Sequence, residues 1–277
     1  MDVEMAEPQP SDTPVQEHPW RDHAPSYRAR EAQLLADWIL TGASGSVIGL
    51  NGSGKSDLLG FLCYRPEVLN DYLPARAQPV TLLPMDLNTL PARTLSALFR
   101  VILRTFAEHQ QRFADETQTL IRQLYQEHRA ATDPFLTQSA LRELLIHLQQ
   151  RRHRVVFALD RFDTFCTMLT PAMGDALRGL RDGFKGTLSY IASMRLGLDY
   201  VPDPQVLGDL HRLLDQHVCY VGPMTEQDTR DTIVRRVQMV DQRPTDGEMA
   251  QIWQLSGGYP SLVMVLCRWW LTTQAPR

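Results

Sequence analysis

The sequence predicts an α/β chain, a parallel sheet sandwiched by helices and followed by a small, all-helical C-terminal lid. Three observations predict it. The segment G-L-N-G-S-G-K-S, from Gly49 to Ser56, stands between a short apolar run and an amphipathic one, the strand, loop and helix order of a phosphate-binding P-loop. Short apolar runs then alternate with helical patterns, which implies parallel strands joined by crossover helices. After Pro223 the pattern is wholly helical. These shifts divide the chain into an N-terminal arm (1–25), a P-loop nucleotide-binding domain (26–222) and a helical lid (223–277).

Residues 1–25 are rich in Pro, Glu, Asp and Gln with little to bury, the composition of a disordered or partner-ordered arm. Trp20 is the exception, expected to pack onto the domain or to anchor a partner. From Tyr27, residues Ala32, Leu34, Leu35, Trp38, Ile39 and Leu40 fall at near-helical spacing. Ser44 to Leu50 reads as a buried strand and Ser56 to Cys63 as the helix after the glycine-rich loop. Val80 to Met85 is a second strand. Leu95, Leu98, Phe99, Ile102, Leu103 and Phe106 mark one helix face, and the polar run His109 to Gln126 continues the helical pattern. A helix over Ser139 to Gln150 precedes the basic turn R-R-H-R and the strand Val155 to Leu159. Tyr190 to Ser193 and Val218 to Val221 complete the strand candidates. Helices near 225–240, 246–255 and 260–273 form the lid, with Thr225 and Asp228 resembling a capping box in which Asp replaces Glu or Gln. The last helix carries Leu262, Val263, Met264, Val265, Leu266, Trp269, Trp270 and Leu271, apolar on nearly every side. It is either the centre of the lid, the favoured reading, or incompletely covered.

At 277 residues and 43% hydrophobic, the chain can bury one good core with a small appended subdomain. Its net charge of −4 argues against a protein that coats nucleic acid non-specifically. The only lysines are Lys55 and Lys185, which makes Lys55 conspicuous. Cys63, Cys166, Cys219 and Cys267 are scattered through apolar contexts and read as reduced core residues. The N-terminus lacks the basic and apolar regions of a signal peptide. Leu262 to Leu271 falls far short of the ~20 residues a membrane span needs. A soluble, cytoplasmic protein is expected.

In G-x-x-x-x-G-K-S the glycines let the backbone wrap a phosphate group, with N–H groups converging at a helix N-terminus. Gly49, Asn51, Gly52, Ser53, Gly54, Lys55, Ser56 and Asp57 form the candidate nucleotide-binding set. Lys55 is expected to reach the β- and γ-phosphates and Ser56 to bind Mg2+. A second metal ligand is expected at the end of another buried strand, where V-V-F-A-L-D ends at Asp160. The next residue, Arg161, cannot act as a general base. Asp163 either polarises the attacking water or salt-bridges Arg161. Arg195, closing the strand S-M-R, either approaches the γ-phosphate or is an ordinary surface residue. Gly257, Gly258 and Pro260 open a helix or make a plain interhelical turn.

Together these motifs resemble the STAND branch of the AAA-type ATPases, over roughly residues 26–273, with a NACHT-like or archaeal-ATPase-like core. Y-R-A-R-E resembles the entry box of that class, which implies that Arg30 and its neighbours lie near the adenine. V-G-P-M-T-E-Q-D resembles the lid opening. S-G-G-Y-P-S-L-V-M-V-L-C resembles the segment whose proline, here Pro260, approaches the base or ribose. D-R-F-D reproduces the acid spacing of the NACHT group apart from the bulky Arg161. The resemblance implies a nucleotide-gated switch with ATP or ADP and Mg2+ as cofactors and slow hydrolysis. It implies assembly with itself or with protein partners, with sensing or effector functions in separate polypeptides and bacterial antiphage defence as one setting. A DNA-associated loader like the origin-recognition or transposition ATPases is a second reading, ranked lower for the acidic charge and the lack of a C-terminal winged helix. A nucleotide-holding module without turnover, motivated by Arg161, is a third.

Overall fold

A computed structural model describes Trp20, residues 22–237 and residues 243–274. The expected arm therefore lies largely outside the described residues. The strand set is close to that expected: β1 (Gly45–Ile48), β2 (Val80–Met85), β3 (Arg154–Leu159), β4 (Leu188–Met194) and β5 (Val218–Tyr220). They form one parallel sheet in the order β2-β3-β4-β1-β5. The helices are α1 (Ala29–Thr41), α2 (Lys55–Tyr64), α3 (Pro66–Tyr72), α4 (Leu95–Glu108), α5 (Asp115–His128), α6 (Pro134–Gln150), α7 (Phe162–Phe165), α8 (Pro171–Gly183), α9 (Asp209–Asp215), α10 (Glu226–Arg236), α11 (Asp246–Ser256) and α12 (Pro260–Gln274).

Side-chain alternation along each strand feeds two cores. On β3, Val155, Phe157 and Leu159 join the core built with α4, α5, α6, α8 and α9, while Val156 and Ala158 join the core built with α1, α2 and α3. A sheet buried on both faces needs strands that are apolar throughout, which explains runs such as V-V-F-A-L. The second core extends into the C-terminal helices through Ile233, Ile252, Val263 and Cys267. All four cysteines are buried and free, and burial pushes the Cys63 and Cys166 thiols up to about 12.

The structure corrects four local expectations. The helix through His109 breaks: α4 ends at Glu108, and a 3-10 turn over Gln110–Arg112 leads to α5. The break buries Phe113 against Phe106 and turns Arg112 back to the carbonyls of Cys63 and Leu82 (2.8 and 2.6 Å), two tertiary gains that override helical periodicity. Helix α6 begins at Pro134, capped by Asp133. Thr225 receives the Asp228 N–H, but the Asp228 carboxylate, one methylene shorter than Glu, accepts from the Thr225 hydroxyl and the Arg28 N–H instead. The complete capping box is Thr245 with Glu248. Finally, α12 is one-sided: Val263, Cys267 and Trp270 are buried, whereas Leu262, Val265 and Trp269 are 48%, 63% and 60% exposed. Its outer face is thus incompletely covered.

Trp20 packs onto α2. Its ring stacks on Tyr64 at 5.1 Å, and a Cβ at Gly60 would stand 2.4 Å from it. That contact requires glycine in mid-helix.

Candidate functional site

The carboxyl ends of β1, β3 and β4 converge on one cleft of about 400 Å3, where an open parallel sheet exposes its loops. The loop after β1 needs its glycines. Gly52 and Gly54 hold φ of 77° and 88°, and a Cβ at Gly49 would lie 2.5 Å from the Val221 carbonyl. Helix α2 starts at Lys55 directly behind this loop, so its first-turn N–H groups lack intrahelical acceptors and face the cleft end with the positive helix dipole. Lys55 folds over the loop, donating to the carbonyls of Gly49 and Leu50 at 2.7 and 3.0 Å. Burial lowers its pKa, while Asp163 and Asp160 raise it and Arg195 lowers it further. Ser53 is fully buried, with its hydroxyl unpartnered.

Asp160 is the hub. It accepts from the Ser56 hydroxyl at 2.9 and 3.0 Å and from the Ser193 hydroxyl at 2.5 Å. Ser193 in turn accepts the Arg161 N–H at 3.2 Å. A hydroxyl in the first turn of α2 and a carboxylate just after β3 are hard oxygen donors. They suit Mg2+, which takes one or two protein ligands and keeps water and phosphate oxygens for the rest.

Two ion pairs border the cleft, and they differ from the pairing expected. Asp163 bonds Arg195 at 2.6 Å, and Arg161 bonds Asp86 at the end of β2 at 2.9 Å. Arg161 takes a left-handed conformation (φ 51°) that turns its side chain away from Asp163 and toward Asp86. Arg195 is 58% exposed and Asp163 13%. Sequence reasoning missed Asp86, although V-T-L-L-P-M-D repeats the strand-then-Asp signal read at Asp160. It named Ser193 only as part of the S-M-R run.

The entry box sends its two arginines to different places. Arg30 is exposed and lines a cleft of about 480 Å3 with Pro223, Met224 and Thr225. Arg28 is the arginine that reaches the phosphate loop: it is 2% exposed and donates to the Ser53 and Gly222 carbonyls at 2.6 and 3.0 Å. No periodicity distinguishes the two, and the left-handed φ of Arg28 (49°) is what turns it inward. Pro260 opens α12 and covers the loop, its Cγ 3.4 Å from a Cβ built at Gly54. Asn51 and Asp57 line the main cleft, and Asp57 accepts from the Trp20 indole at 3.3 Å.

No family model matches the sequence, and no curated protein matches it. Among solved structures, the chain is similar to the ORC2 protein of Aeropyrum pernix in ADPNP–ADP complexes, with a TM-score of 0.56 and 15% identity, covering 86% of this chain and 59% of that one. It is similar to the Aeropyrum pernix ORC1 protein in complex with DNA, with a TM-score of 0.53 and 16% identity, covering 91% and 61%. A Walker-type ATPase of Pyrococcus abyssi gives a TM-score of 0.57 and 17% identity, covering 89% and 68%. The chain thus spans about six-tenths of the length of the two Aeropyrum proteins. Among the described residues no helix is long and apolar enough to cross a membrane. A five-stranded parallel sheet with a glycine-rich loop after β1, flanked by helices and followed by three more, is the P-loop NTPase fold, and the chain has it.

Proposed function

We propose that the chain is a nucleotide-gated switch that binds ATP or ADP with Mg2+ and hydrolyses ATP slowly, with α10–α12 as its lid. The observation that carries this reading is the Ser56–Asp160–Ser193 cluster beside Lys55, a set suited to a metal and a phosphate at one cleft. Bound Mg2+ would neutralise phosphate charge at Ser56 and Asp160. Lys55 binds the β- and γ-phosphates, and the loop N–H groups hold the chain of phosphates in place. Arg195 stands where it can pass from Asp163 to the terminal phosphate. Asp163, once unpaired, is the acid that orients water, and Arg195 holding it accounts for slow turnover. Arg30 is assigned to the adenine end, in the cleft it shares with Pro223 and Thr225.

Binding of a fluorescent ADP analogue tests the first claim: Lys55→Ala is expected to abolish it, and unchanged affinity sinks the reading. Steady-state ATPase rates of wild type and Asp163→Ala test the second. Equal background rates leave a nucleotide-holding module without turnover.

The output proposed is assembly with itself or with protein partners, supported by the exposed face of α12. The STAND motifs suggest a bacterial antiphage complex as the setting. A DNA-associated loader is an equally supported second reading, favoured by the fold similarity to the ORC1 protein solved with DNA. Salt-dependent duplex binding discriminates them; no binding at low salt, with or without ATP, removes the loader.

A further inference from the structure

The phosphate loop has an outer face that the reading above does not use. Its carbonyls from Gly49 to Ser53 each meet a donor. Lys55 takes the first two. The Tyr259 hydroxyl donates to the Asn51 carbonyl at 2.7 Å, the Ser261 N–H to Gly52 at 3.1 Å, and the Arg28 guanidinium to Ser53 at 2.6 Å. Tyr259 and Ser261 flank the start of α12, and Arg28 precedes α1. The approach is close, since a Cβ at Gly52 would stand 2.6 Å from the Ser261 side chain. Arg28 continues the link: it also donates to Gly222, ahead of α10, and its N–H reaches Asp228 within α10 at 3.3 Å. The C-terminal helices therefore grip the loop backbone itself.

The carbonyl of one residue shares a peptide group with the N–H of the next. The Asn51 carbonyl is joined in this way to the Gly52 N–H, and the Ser53 carbonyl to the Gly54 N–H. An anion accepting from those N–H groups polarises the same peptides and makes their carbonyls stronger acceptors, the cooperative behaviour of hydrogen-bond chains. We propose that loading of the phosphate cradle is transmitted to α10–α12 through the loop's own peptide groups, with Tyr259 and Arg28 as the positioning residues that receive it. This rests on the nucleotide reading. It is reciprocal, so docked helices also preorganise the cradle.

Magnesium pyrophosphate, which carries phosphates and no nucleoside, is the discriminating probe. Calorimetry follows its binding and that of ADP, and hydrogen exchange follows the amides of α10–α12, with Ser261 as the direct reporter. Pyrophosphate alone is expected to slow exchange in these helices. Tyr259→Phe, which removes one hydroxyl, is expected to weaken pyrophosphate binding about three- to tenfold, the scale of a single hydrogen bond. At saturation it should also lose part of the pyrophosphate-induced slowing, a difference that a merely structural role leaves unchanged. Arg28→Lys, which keeps the charge, is a second variant expected to behave likewise. Pyrophosphate binding that leaves the helices unchanged, while ADP slows them, overturns the proposal in favour of a route through the nucleoside. Full slowing at saturation in both variants overturns it too. Failure of wild type to bind either ligand overturns the nucleotide reading, and this inference with it.

Discussion

Replacing His23 by Phe should flatten the acid branch of the stability curve. The His23 ring is 8% exposed, stacked on Tyr27 at 3.9 Å and edge-on to Phe61 at 5.8 Å. Burial, reinforced by Arg235, Arg65 and Arg28, lowers its pKa from 6.5 to about 3. The folded chain thus keeps His23 neutral, whereas the unfolded chain protonates it below about pH 6.5. The unfolded state then binds more protons, so stability falls as pH drops from 6.5 and continues to fall until about 3. Between pH 7 and 5 the linkage amounts to at most about 2 kcal/mol. Because the rim of the recess at Asp22 is open to solvent, screening reduces this to about 1–2 kcal/mol. At about 2–4 °C per kcal/mol for a chain of this size, the wild type should melt about 2–8 °C lower at pH 5 than at pH 7 from this group alone. Phe preserves the stack and cannot titrate. His153, also lowered by burial, leaves a smaller residual slope. Thermal unfolding followed by circular dichroism at both pH values checks this, and an equal or larger pH 7-to-5 drop in His23→Phe refutes it.

Gly258→Ala meets two obstacles, a φ of 74° and a Cβ 2.4 Å from the Met224 carbonyl, and it disturbs the Met224 N–H bond to Gly258 at 2.8 Å. A cost of about 2–4 kcal/mol is expected, concentrated in α10–α12 and read as faster proteolysis there; wild-type resistance would count against it. Ser193→Ala removes one donor to Asp160 and the acceptor of the Arg161 N–H. It should lower stability by about 1–2 kcal/mol and weaken Mg2+-dependent nucleotide binding in fluorescence titrations. Equal Mg2+ dependence in both proteins would remove Ser193 from the metal site.

The sheet was legible because its strands are apolar on both faces, so V-T-L-L-P-M and V-V-F-A-L announce themselves as buried runs. Helices α3, α7, α8 and α9 have no counterpart among the expected elements, although α8 carries a readable start in Thr170 and Pro171, with Thr170 accepting the Met173 N–H. The positions of the glycine-rich loop after β1 and of Asp160 after β3 were legible because strand ends are marked locally. What escaped was set by tertiary pairing. Arg28 and Arg30 differ by two positions, and only a left-handed turn at Arg28 decides which is buried. The contacts of Tyr259 and Ser261 run to loop carbonyls about 210 positions away, and no spacing rule marks a backbone acceptor. The charge of Arg161 is plain in the sequence, but its partner Asp86 follows a different strand, β2.

Under the proposed function, Arg161 is the residue that would link binding to turnover. A non-glycine residue in the left-handed region costs about 1–2 kcal/mol, and this one sits directly after the Asp160 hub. The turn aims the Arg161 N–H at Ser193, which aims its own hydroxyl at Asp160, so the strained residue fixes the proposed metal carboxylate through one intermediate. The same turn carries the guanidinium out to Asp86 and leaves Asp163 to Arg195. In the proposed function, Lys55, Ser56 and Asp160 would hold metal and phosphate groups with neither ion pair broken, whereas freeing Asp163 requires Arg195 to move. Arg195 is the more exposed partner and the one free to swing, so the rate of turnover should follow how strongly a terminal phosphate draws Arg195 away. Arg195→Lys, which keeps the charge and loses the guanidinium's directed donor, is expected to change the ATPase rate while leaving ADP affinity as in wild type. A loss of ADP affinity instead would show that Arg195 belongs to the binding cradle.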